Sequence, residues 1–159
     1  MILFPDLPYV VHTGRELELM VAGVKPLAVF HDTYPDEPCE QIIPENAFKP
    51  YVEAGRLEKR ELVVLLDDPP PATHSYVKGI RWVIYSTPEE NWRIDAFIAL
   101  QAEAHVRGWS EEFERREGFL YGYEDWQTDA WIAYLLRRPQ AKNFPWLQRL
   151  AEKLRAGKD

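Results

Sequence analysis

Residues 87–108 constrain the fold of this chain most strongly, because they carry every signal of one helix from cap to stop. Thr87 suits the N-cap, Pro88 the first helical position where its missing N–H costs nothing, and Glu90 the place that closes a capping box. Gly108 supplies the stop. Between them Ile94, Phe97, Ile98 and Gln101 recur at helical spacing, with His105 a turn further on. Trp92, Ala99, Ala102 and Val106 widen the apolar surface beyond one stripe. A helix apolar over so broad a sector is expected to pack on more than one side, which makes it the expected central and most buried helix.

The elements before it are short. Thr13 caps a helix over 14–22 that Gly23 ends, and residues 27–31 read as a strand. Residues 32–44 hold Pro35, Pro38 and Pro44 among acidic side chains and read as a loop. Residues 45–53 return to helical spacing with Phe48, Tyr51 and Val52, shortened or distorted by Pro50. Residues 57–66 become continuously apolar from Leu62 and are expected to form a strand buried toward its end. Pro69, Pro70 and Pro71 terminate it, and after a loop through His74 residues 80–85 give a third strand.

After residue 109 every signal is helical. Ser110 opens one helix that Gly122 closes, residues 124–138 form the next, with Trp131, Tyr134 and Leu135 inward, and Pro145 opens the last with Trp146, Leu147, Leu150 and Leu154 as its apolar stripe. Strands and short helices first, then about four successive helices, predict an α+β fold with a small mixed or antiparallel sheet from the N-terminal half packed against a C-terminal helical cluster. With 159 residues and no composition break, the expectation is one globular domain over 1–159.

A formal net charge of −7 argues against a surface devoted to nucleic-acid phosphates. The single cysteine, Cys39, forms no intramolecular disulfide and points to a reducing, cytoplasmic setting. No apolar run reaches the roughly 18 residues a membrane span needs. There is no Gly-rich phosphate loop, no Gly-x-Ser-x-Gly elbow, no paired zinc histidines and no calcium loop, and no cofactor or metal is expected.

Two groups of residues are candidates for chemistry. His31 and Asp32 stand where the first strand meets its acidic loop, a place from which functional side chains are often presented, yet two adjacent ligands form an incomplete metal site. Gln101 and His105 are one turn apart on the face expected to be buried, and Asp95 beside Trp92 and Ala99 is a carboxylate in apolar company, where burial raises the pKa. The densest unusual run is 118–129, in which Tyr121, Tyr123 and Trp126 alternate with Glu124, Asp125 and Asp129 around a helix–helix turn. Rings edged by charge are typical of recognition surfaces.

These features favour a small acidic binding module, inhibitory or adaptor-like, that engages a protein partner, a basic one by charge complementarity. The alternatives are a hydrolase-like enzyme using the carboxylates and histidines above, and a purely structural homodimer.

Overall fold

The computed structural model describes Phe4, residues 6–67 and residues 77–157. The expected proline-rich loop after the second strand, with His74, lies outside the described residues, as do most of the first five. The chain is α+β, with the helices α1 (Glu16–Val21), α2 (Glu45–Glu53), α3 (Trp92–Arg107), α4 (Glu111–Leu120), α5 (Asp125–Arg137) and α6 (Pro145–Ala156). The strands are β1 (Leu27–Tyr34), β2 (Glu58–Leu65) and β3 (Gly79–Ser86). Contacts divide the chain into two compact units, Glu16–Ile94 and Met1–Arg15 with Asp95–Asp159.

The Glu16–Ile94 unit holds the sheet, antiparallel in the order β1-β3-β2. Its central strand is buried at Val83, Ile84, Tyr85 and Ser86, on both faces, which is why 82–85 reads as an unbroken apolar run rather than an alternation. On one face Phe48 of α2 stacks on Tyr85 at 4.1 Å and Phe30 meets both rings edge-on, with Met20 of α1 in the same cluster. Lys25 is buried just before β1, and its ammonium is pushed down to about 8 by that burial, against the pull of Glu16.

Two expectations fail in this unit. β2 is not buried toward its end: Val63, Val64 and Leu65 are exposed, Leu65 at 63%. As an edge strand β2 has a single neighbour, and its buried anchor is Leu57 at the start, where α2 turns into the sheet. His31 and Asp32 do not stand at a strand end either, because β1 continues to Tyr34 and pairs them with Trp82 and Arg81 of β3.

α3 begins at Trp92, later than the capping signals suggest. Pro88–Glu90 forms a separate 3-10 turn, and Thr87 makes no side-chain cap bond. Glu90 cannot complete a capping box because its carboxylate accepts from Trp92 Nε1 at 2.9 Å and from Arg93 Nε at 2.8 Å. Nor is the helix apolar on several sides. Its buried residues are Ile94, Phe97, Leu100 and Ala104, one stripe, whereas Trp92 and Val106 are exposed, Val106 at 85%. Ala99 and Ala102 are exposed as well. Alanine favours a helix wherever it points, so its presence widened the apparent apolar sector without marking a packed face.

In the other unit α4 starts as expected, with Ser110 Oγ accepting from Phe113 N, and Gly122 ends it at a φ of 88°. α5 opens with a capping box between Glu124 and Gln127. Ile132 of α5 packs with Trp146, Leu147 and Leu150 of α6, while Leu154, expected on the same stripe, is half exposed beyond the reach of that cluster.

Candidate ligand cavity

α4 places Glu114, Glu117, Gly118 and Tyr121 three or four residues apart, and so on one face. That face lies against α5 and the segment around Tyr9 and Val11. The approach to α5 is close at Gly118, where a Cβ would stand 2.7 Å from Thr128 Oγ1. Thr128 is buried and its branched side chain has little freedom to move aside. Gly118→Ala is therefore expected to destabilise the protein despite the roughly 1 kcal/mol that alanine gains over glycine in a helix. In a Thr128→Ala background the same change should become stabilising. Urea midpoints of the four proteins check this, and equal effects in both backgrounds would show that the contact is not tight.

Beside Gly118 the helices and the N-terminal segment enclose a cavity of about 190 Å³. Phe4, Tyr9, Tyr121, Tyr123 and Trp131 supply its ring walls and Glu114 and Glu117 its charge. The rings are held by contacts with one another and with residues outside the cavity. Phe4 lies edge-on to Trp131 at 5.7 Å. Tyr123 stacks on the His12 imidazole at 4.0 Å and its hydroxyl accepts from the His12 backbone N–H at 2.8 Å. Tyr9 bridges Tyr123 at 5.9 Å and Trp126 at 5.6 Å.

The two carboxylates differ in their surroundings. Glu114 accepts one indole N–H on each oxygen, from Trp131 and Trp109, both at 2.7 Å. Glu117 takes both of its hydrogen bonds on Oε1, from Tyr121 Oη at 3.1 Å and Gln101 Nε2 at 3.2 Å, and no described residue donates to Oε2. Burial, and then the charge of Glu114, push the Glu117 carboxyl up to about 7, against the two hydrogen bonds. The Tyr121 hydroxyl is held well above the usual tyrosine range by its own burial and by Glu117, and burial with Tyr123 nearby takes Tyr9 to about 12.

The turn 118–129 is divided between this cavity and the surface. Tyr121 and Tyr123 face the cavity. Trp126 stands on the outer side of Tyr9, 49% exposed, its indole N–H donating to Glu124. Asp125 is exposed on the first turn of α5, and Asp129, also exposed, pairs with Arg115 at 2.6 Å. Of the other candidates only Gln101 reaches the site, as a donor to Glu117. His105 is exposed because the buried stripe passes through Ala104, and Asp95 is exposed, which removes the apolar setting expected for it. His31 and Asp32 belong to the Glu16–Ile94 unit, where His31 is exposed against Trp82 at 4.9 Å and Asp32 accepts from the Thr33 N–H at 2.7 Å. Among the described residues no three or more His, Cys, Asp or Glu are grouped so as to hold a metal ion.

Sequence reasoning passed over Glu114 and Glu117. Glu114 in the first turn reads as an ordinary dipole partner and Glu117 further along as a solvated side chain, and the signal that separates these two is their shared face with Gly118 and Tyr121. No family model matches the chain, and neither a comparison with curated proteins nor one with solved structures finds a match. No helix among the described residues is long and apolar enough to cross a membrane.

Proposed function

We propose that this chain is a small cytoplasmic binding module, without catalysis of its own, that holds a basic protein partner through the face where α5 begins. The observation that carries the reading is Trp126: a large ring left half exposed, seated edge-on against Tyr9 and flanked by the exposed acids Glu124 and Asp125. A rigid aromatic ringed by polar groups is the usual energetic centre of an interface, and the overall charge of −7 favours encounter with a basic surface.

Affinity isolation with three baits tests it: the parent chain, Trp126→Ala, and Trp92→Ala as a matched control, since Trp92 is 48% exposed in the other unit. The expected result is a basic protein retained by the parent and by Trp92→Ala and lost from Trp126→Ala, with the melting temperature of Trp126→Ala close to the parent's. A retained protein indifferent to Trp126, or a loss that tracks only lowered stability, would overturn the reading.

A further inference from the structure

We infer that the cavity beside α4 binds a compact alkylammonium group. This rests on the binding role proposed above and names the chemistry by which a basic ligand is recognised.

The cavity is well below the roughly 300 to 1,000 Å³ of pockets for drug-sized ligands, so its occupant is a group of a few heavy atoms. Its walls combine five aromatic rings with two carboxylates, and among the described residues they include no Lys, Arg or His. Ring faces attract cations through their quadrupole, most strongly where water is excluded. An anion would meet Glu114 and Glu117 with no opposing charge in the lining. A neutral apolar group would satisfy the rings and leave Glu117 Oε2 without a donor, at the cost of a desolvated polar atom. An alkylammonium satisfies both parts at once, its carbons or N–H groups against the rings and its charge beside Oε2. The carboxylates are already oriented for this role, Glu114 by two indole N–H groups and Glu117 by Tyr121 and Gln101.

The group is either a free small cation or a lysine side chain of the partner, and one experiment separates them. The full chain, labelled with ¹⁵N, is titrated with choline, with the uncharged carbon isostere 3,3-dimethylbutan-1-ol, and with a short capped peptide containing one lysine. The readouts are the Trp131 indole and Gly118 amide resonances. The expected result is saturable shifts with at least one cation, at least roughly tenfold weaker binding of the isostere, and a similar loss for the cation in Glu117→Gln, with Trp92→Ala unchanged. Tighter binding of choline identifies a free cation as the ligand, and tighter binding of the peptide a partner's side chain. The inference is overturned if neither cation gives saturable shifts, if the isostere binds as well as the tighter-binding cation, or if Glu117→Gln binds that cation as tightly as the parent. Such a failure beside Trp126-dependent capture removes the cavity and leaves the partner face; cation binding without that capture does the reverse.

Discussion

Phe97→Ala is expected to lower the free energy of unfolding by about 3 to 5 kcal/mol, the usual range for truncating a fully buried phenylalanine. Phe97 is 2% exposed and lies in the single buried stripe of α3, between Ile94 and Leu100. Its ring is also 6.1 Å from that of Tyr121, whose hydroxyl donates to Glu117. The loss should therefore reach the cavity as well as the core, because Tyr121 loses part of what fixes its ring. Val106→Ala removes an apolar side chain from the same helix at an 85% exposed position and should change stability by no more than about 0.5 kcal/mol. The contrast between the two urea midpoints is the measurement. A Phe97→Ala midpoint equal to the parent's would show that the buried stripe of α3 does not anchor the fold.

That contrast also marks where the sequence was legible. Positions with one local cause came through: Gly23, Gly55, Gly108 and Gly122 all end helices with positive φ, because only glycine takes that conformation without strain. Ser110 caps α4 as its type and place suggest. α2 runs over Glu45–Glu53 despite Pro50, so there tertiary packing of Phe48 outweighs the proline. What did not come through depends on a neighbour that local pattern does not name. Leu62 to Leu66 look like core until strand order makes β2 an edge. Ser110 is a cap wherever the chain goes next, but Glu114 and Glu117 become a pair in a cavity only once α5 and the residues around Tyr9 close over them. Charged residues on a helix are solvated by default, so Glu117 reads like Glu112, which is exposed five residues earlier, until its shared face with Gly118 and Tyr121 is weighed.

Glu117→Gln should raise stability at pH 8 by on the order of 2 to 3 kcal/mol and by little or nothing near pH 4.5. The sign follows from the direction of the shift. The Glu117 carboxyl is raised from 4.5 to about 7 by burial and by Glu114, so the folded protein binds this proton more tightly than the unfolded chain does. Between those two values the fold is progressively weakened as pH rises, and above about 7 the full cost of a buried charge is present. Glutamine keeps an oxygen to accept from Tyr121 and Gln101 and has no charge to bury, so the variant escapes the cost. Other groups titrate with slopes of their own. Glu45 and Glu61 are held below the usual carboxylate range, Glu45 against its burial by the hydrogen bonds and charges of Lys59 and Arg81 together and Glu61 first by its hydrogen bond from Arg81, and they contribute stability that is lost as pH falls. Lys25, lowered to about 8 by burial, weakens the fold below that value and less so as pH rises toward 10.5. Both effects are common to parent and variant, so the difference between their unfolding free energies from pH 4.5 to 8 isolates Glu117. If that difference is flat with pH, or if the variant is the less stable protein at pH 8, Glu117 is paired or solvated in the folded state and the cavity carries no uncompensated charge for a cation to meet.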